Sequence, residues 1–148
     1  MTLDQTHNTG LSIKGRVEIA LYSNSKRIKH LILDNLVVAT GKQVIADILA
    51  EKGVEIAYLA VGSGNTQPQV SDTALEQEIA RKAITMRSAN MNQARFDTFI
   101  DTLEMVGMWR EIGLFSSDNR LVARALINPE MNKGSSNTAT ISWSITIA

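Results

Sequence analysis

Ile56-Ala57-Tyr58-Leu59-Ala60-Val61-Gly62-Ser63-Gly64 is the stretch whose reading decides the fold. Strand alternation puts Ile56, Tyr58, Ala60 and Gly62 on one face and Ala57, Leu59 and Val61 on the other, and neither face carries a charge. A segment that is apolar on both sides reads as a buried or interface strand of a β domain. Gly62 and Gly64, one residue apart, let the backbone turn out of the sheet.

Working outward, the chain on both sides supplies partners for such a strand. Leu11, Ile13, Gly15, Val17, Ile19 and Leu21 alternate with Ser12, Lys14, Arg16, Glu18, Ala20 and Tyr22, the pattern of a half-exposed antiparallel strand. Ser23-Asn24-Ser25 is turn sequence, and Arg27 to Leu33 returns as a second strand, giving a hairpin. Asp34 to Val38 then leads into a helix over Thr40 to Leu49. Thr40 is its expected N-cap, with Gln43 completing a capping box. Val44, Ile45, Ile48 and Leu49 form its apolar side, Lys42, Gln43 and Asp47 face water, and Gly53 ends it.

Beyond Gly64 a polar connection with Pro68 runs to Thr73, and a short helical turn is expected over Thr73 to Glu78. Glu76 and Glu78 lie near Arg81 and Lys82 as surface ion pairs. Further strands are expected at Ala83 to Ala89, Gln93 to Leu103, Met105 to Phe115 and Arg120 to Ile127, with turns at 90–92 and 116–119 and Pro129 as a stop. Met131 to Asn137, carrying Lys133 and Gly134, reads as a polar loop. Thr138 to Ala148 has the cleanest alternation in the chain, with Ala139, Ile141, Trp143, Ile145 and Ile147 on its core face.

One charge interrupts an apolar strand. Glu111 sits between Trp109 and Gly113 in the alternation, so its burial demands a donor, most simply Arg110, Arg124 or another backbone-anchored group. A structural salt bridge is the expected role, because no second carboxylate or histidine stands at a defined spacing for catalysis.

Composition excludes several classes. The 148 residues carry 15 basic and 15 acidic side chains, no cysteine and two histidines. Zero net charge removes a bulk-charge drive towards nucleic acid. The absence of cysteine excludes disulfides, thiolate chemistry and cysteine zinc sites. No apolar run approaches the roughly 20 residues of a membrane helix, and Met1 to Thr9 lacks the features of a secretory leader. Gly41-Lys42 is a fragment of a phosphate loop, and Gly62-Ser63-Gly64 lacks the third glycine of a dinucleotide motif. Asp97, Asp101, Glu104 and Glu111 do not pair into a hydrolytic site. No enzyme activity, cofactor or metal is expected.

Asn35-Leu36-Val37-Val38 with Gly41-Lys42, the run Ala57 to Gly64, Pro68, Asp72-Thr73-Ala74-Leu75 with Glu78 and Arg81, Arg110 to Phe115, Leu121 to Ala125, and Ile141 to Ile145 together resemble small tailed-bacteriophage and prophage virion proteins. Those proteins are tail, fibre-like or head-decoration components. The resemblance implies a non-enzymatic structural subunit of the virion, assembled in the host cytoplasm. It implies a symmetric homo-oligomer, with a trimer favoured over a hexamer, in contact with other phage structural proteins. Arg110 to Phe115 also resembles an element of tail-fibre N-terminal domains. With no shaft after Ala148, a stand-alone attachment or decoration subunit is expected.

The fold expected is mainly β: an antiparallel, jelly-roll-like β-sandwich of about seven strands with one main helix at residues 40–50. It forms one domain over 11–148, after a flexible arm at 1–10. An α+β sheet covered by the helix is the alternative. Arg110, Glu111, Arg124, Gly62, Gly64 and Trp143 are the structural or interface candidates. The functional alternative is a carbohydrate- or receptor-binding module using Trp109, Trp143, Tyr22 or Tyr58, although each lies in a strand pattern that favours core packing.

Overall fold

In the computed structural model, which describes residue 10 and residues 12–148, nine strands and one helix follow the chain. They are β1 (Ile13–Ser23), β2 (Lys26–Val37), α1 (Ala39–Leu49), β3 (Ile56–Gly62), β4 (Glu78–Ala83), β5 (Met86–Asn90), β6 (Gln93–Ile100), β7 (Gly107–Ser116), β8 (Leu121–Lys133) and β9 (Asn137–Ile147). The arm expected over 1–10 and the strand start at Leu11 lie, apart from Gly10, outside the described residues. Every pairing is antiparallel, and the strand order is β4-β3-β7-β8-β2-β1-β9-β6-β5. The mainly antiparallel β class with one helix is as the sequence led us to expect. The strands form one curled sheet; the jelly-roll detail stays an expectation.

Two places make the sheet curl. β2 pairs with β1 as far as Gly15↔Asn35, then leaves it to pair with β8 at Leu36↔Arg124 and Val37↔Ala123. At the other end, β4 and β5 are halves of one run broken only at Ile84 and Thr85, so the two outermost strands follow each other in the chain. The Ile84 N–H donates to the Ala57 carbonyl at 2.9 Å, and the Arg87 guanidinium donates to the Ile56 carbonyl at 2.9 Å. Those contacts hold the corner between β4 and β5 against the start of β3.

The curl encloses a single large core in which Val17, Ile19, Ile141 and Trp143 from one end of the strand order meet Leu59, Val61, Ile112 and Leu114 from the other. A smaller cluster of Val38, Ala60, Leu75, Phe115 and Leu121 lies apart from it, with Tyr58 packed against it. β3 therefore has no polar face because Leu59 and Val61 serve the main core while Ala60 and Tyr58 serve the second one. Ile56 joins Leu59 and Val61 rather than Tyr58, because the pairing with β7 shifts register between Ile56 and Tyr58.

Several local expectations are corrected. β2 runs on to Val37, since Leu36 and Val37 find a new partner in β8. The helix is capped by Val38 without a side-chain cap, and the Thr40 hydroxyl instead donates to the Leu121 carbonyl at 2.6 Å. Gly41 and Val44 are its buried residues, whereas Leu49 is 80% exposed. Glu51, at φ 55°, takes the left-handed position after the helix that Gly53 was expected to supply. The run 73–78 is not helical, since the Glu76 and Gln77 N–H groups are used elsewhere and Glu78 opens β4. β8 does not stop at Pro129. Its pairing with β7 jumps from Glu111↔Leu126 to Trp109↔Met131, so residues 127–130 bulge out opposite Arg110, with a cis Asn128–Pro129 bond, and the strand resumes. Met131 and Lys133, expected in a polar loop, are fully buried; the Lys133 Nζ donates to the Thr102 carbonyl at 2.7 Å, and burial pushes its pKa down.

Candidate functional site

Glu111 lies on β7 directly opposite Gly62 of β3. No side chain on Gly62 or Gly64 competes for the space beside it: a Cβ would stand 2.6 Å from Glu111 Oε2 at Gly62 and 2.5 Å at Gly64. Into that space the carboxylate projects with 0% exposure. Its Oε2 accepts from the N–H of Gly64 at 2.8 Å and of Gln77 at 2.7 Å, and its Oε1 accepts from the N–H of Glu76 at 2.8 Å and from Arg124 Nε at 3.0 Å.

Gly64 begins the long connection from β3 to β4 and Glu76-Gln77 ends it, so one carboxylate ties both feet of the loop. The middle is tied by Arg124 on β8, whose Nη1 donates to Asp72 Oδ2 at 3.2 Å. The same oxygen accepts from the Gln69 N–H at 2.9 Å. Near its start, the Thr66 N–H and hydroxyl donate to the Glu76 carboxylate at 3.0 and 2.6 Å, which holds the Glu76 pKa below its ordinary value. Leu75 is buried in the second cluster beneath the loop. Outside that cluster, the Arg81 guanidinium stacks 4.2 Å from the Phe115 ring centroid, close enough for a cation–π contact.

Four of the six sequence candidates, Gly62, Gly64, Glu111 and Arg124, therefore meet at one point. Arg110, the neighbour of Glu111, points elsewhere and pairs with Glu130 on the bulge. Trp143 is in the main core between Val17 and Phe96, its pairing partners on β1 and β6. The sequence reads Glu76 as a surface charge and singles out Asp72 only through the resemblance. Their network roles depend on contacts 35 to 52 residues distant, and the only local signal was the Asp-Thr-Ala-Leu run in the resemblance.

The tied loop and the 127–130 bulge border a shallow depression of about 490 Å³, with Asn65, Gln67, Arg110, Asn128 and Glu130 along it. Leu126, Ile127 and Pro129 make its surface as apolar as it is polar, and no aromatic ring lines it. Among the described residues no group of three or more His, Cys, Asp or Glu side chains is placed to hold a metal.

A family model described as phage tail-collar fibre protein, N-terminal, matches residues 33–148. This chain belongs to that family. No curated protein and no solved structure matches it. The tail-collar fibre match begins inside β2 and takes in the helix, β3, the whole tied loop and both β7 and β8. It makes the chain a structural component of a bacteriophage tail or fibre, and so a constituent of the virion.

The tightness of the loop anchorage has a measurable consequence. A methyl group at Gly64 would fall 2.4 Å from Glu76 Cβ as well as on the Glu111 carboxylate. Gly64→Ala is therefore expected to cost about 2 kcal/mol, the range for overpacking a filled site. The denaturant midpoint should drop with an unchanged m-value; a midpoint equal to that of the parent would show that the loop yields freely.

Proposed function

We propose that this tail-collar fibre chain is a non-enzymatic assembly module: it associates as a homotrimer in the host cytoplasm and joins neighbouring structural proteins of the phage tail. The observation that carries this reading is the family match over residues 33–148, which spans the tied loop and its whole anchorage. The tail, rather than capsid decoration, is the position the family supports.

Surface chemistry supports assembly. Leu103 is 82% exposed, Val106 47% and Ile79 40%, and Ile79 lies against Gly107, the neighbour of Val106. Apolar side chains grouped on a surface are what a subunit contact uses. The carboxylates that an enzyme would need are engaged separately: Asp97 with Arg95 and Ser142, Glu104 with Lys82, and Glu111 beneath the loop. A glycan-binding module would need an aromatic platform, and Trp109 and Trp143 are both 0% exposed.

Light scattering over a concentration series tests the assembly reading. A mass three times that of the chain is the expected result, and Leu103→Asp should shift it towards the monomer. A monomer at every concentration overturns self-assembly, and a six- or twelvefold ring overturns the trimer in favour of a ring around the tail axis.

A further inference from the structure

One side of β2 is left open. On its other side β2 pairs with β1 from Gly15↔Asn35 to Ser23↔Lys26, whereas on the open side it meets β8 only at Leu36 and Val37. Over residues 26–35 that side has no backbone partner among the described residues. In an antiparallel ladder alternate residues turn both N–H and C=O away from their neighbour, so the open side presents a row of free donors and acceptors. Residues 29–35 form its regular part, since the register against β1 shifts across Ile28. Leu31 and Leu33 pack against the core and hold the strand in place, while Ile28 and Ile32 stay half exposed. The strands that end the sheet order differ from it: β5 is only five residues long, and the charges of β4 are paired, Glu78 with Arg81 and Lys82 with Glu104.

Charge selects what can pair there. The β1–β2 hairpin carries Lys14, Arg16, Lys26, Arg27 and Lys29 against Glu18 and Asp34, in a chain whose 15 basic and 15 acidic side chains balance. Those five cations make no ion pair among the described residues, whereas every arginine from Arg81 onwards makes one; Glu18 is engaged by His30. A second copy of this edge brings the same excess of cations and is repelled, while an acidic strand meets a cation wherever it turns a carboxylate. The free main-chain groups and the exposed isoleucines are what a polypeptide strand uses, and a nucleic acid would use the charge alone. We propose that the open side of β2 takes up an extended acidic segment of a neighbouring polypeptide as an added strand, with main-chain hydrogen bonds along residues 29–35 and carboxylates against Lys26, Arg27 and Lys29. That this neighbour is a virion protein rests on the assembly reading; the preference of the edge for an acidic strand does not.

The test is a titration of the ¹⁵N-labelled full chain with four ligands: acetyl-TEVEVEVT-amide, the same peptide with glutamine for each glutamate, the acidic peptide N-methylated at every residue, and oligothymidylate. The acidic peptide should shift the backbone amides of residues 29–35 saturably and slow the exchange of alternate ones. The glutamine peptide should bind about fivefold or more weakly at low ionic strength, with the gap closing as salt is added. The N-methylated peptide and oligothymidylate should leave those amides unmoved. Arg27→Glu with Lys29→Glu should reverse the preference between the first two peptides and leave the light-scattering mass unchanged. No saturable shift with the acidic peptide, or equal binding by the glutamine or N-methylated peptide, overturns the proposal. Tighter binding of oligothymidylate overturns it in favour of a nucleic-acid surface, and a fall in the mass of the doubly substituted chain overturns it in favour of a contact between copies. If that chain does not fold, the four ligands decide alone. A failed titration leaves the light-scattering result intact, and a monomeric mass leaves the titration meaningful.

Discussion

Replacing Glu111 by alanine is expected to lower stability by about 4 kcal/mol, the range for removing one partner of a buried ion pair. The expected loss exceeds that of a typical core polar substitution because the carboxylate serves four donors at once. Its removal strands the N–H groups of Gly64, Glu76 and Gln77 together with Arg124 Nε, all within 3.0 Å of it in the native chain. In a thermal melt the midpoint should fall by about 10 °C, given roughly 2–4 °C per kcal/mol for a domain of this size. Hydrogen exchange should show the excess opening concentrated in the connection from Ser63 to Gln77. Glu111→Gln keeps the shape but places an amide donor against groups that are all donors, so it should recover only part of the loss. Wild-type stability in Glu111→Gln would mean that shape, and not charge and acceptance, holds the loop.

Gly41→Ala is expected to destabilise the fold by about 3 kcal/mol, although alanine in a helix interior is favoured over glycine by about 1 kcal/mol. Gly41 sits in the first turn of α1, and a Cβ there would stand 2.0 Å from the Val122 carbonyl oxygen and under 3 Å from two more backbone atoms of Val122. That oxygen accepts the Val38 N–H at 3.1 Å, the bond that fixes where the helix leaves the sheet. A backbone carbonyl in a central strand has no rotamer by which to retreat, so the helix must lift from β8 and expose Val44, now fully buried. Chemical denaturation decides the sign: a gain near 1 kcal/mol would show propensity winning over the close approach.

Sequence and structure agree most closely where the relevant information is local. The alternation of β9 is visible because Ala139, Ile141, Trp143 and Ile145 are all buried on one side of a regular strand. The turns at Asn24-Ser25 and Met91 are legible because a two-residue hairpin needs left-handed backbone, and these residues have φ of 51°, 63° and 55°. β4 is not legible because Glu78-Ile79-Ala80-Arg81-Lys82-Ala83 is an outer strand with no fully buried side chain, and its charges mimic a helix surface. The helix face was only partly legible. Gly41 needs close backbone approach and Val44 needs the core, while Leu49 passes beyond the sheet into solvent.

The candidate site shows the same division. Glu111 announces itself as a charge in an apolar strand, and Gly62 and Gly64 as gaps in another, because both are irregularities in a period of two. That Arg124 rather than Arg110 answers the carboxylate follows from the register of β7 against β8, and the bulge at 127–130 changes that register one residue away.

By itself the sequence determined the β class, the hairpin turns, the double-sided burial of β3 and the need of Glu111 for a donor, all consequences of pleat geometry and desolvation within a few residues. Only the tertiary structure decided that the sheet curls at β2 and at Ile84-Thr85, and that one carboxylate ties both ends of the Ser63 to Gln77 connection. Those outcomes depend on which distant strand supplies each backbone partner, and hydrogen bonds between residues 34 to 52 positions apart leave no periodic trace in the chain.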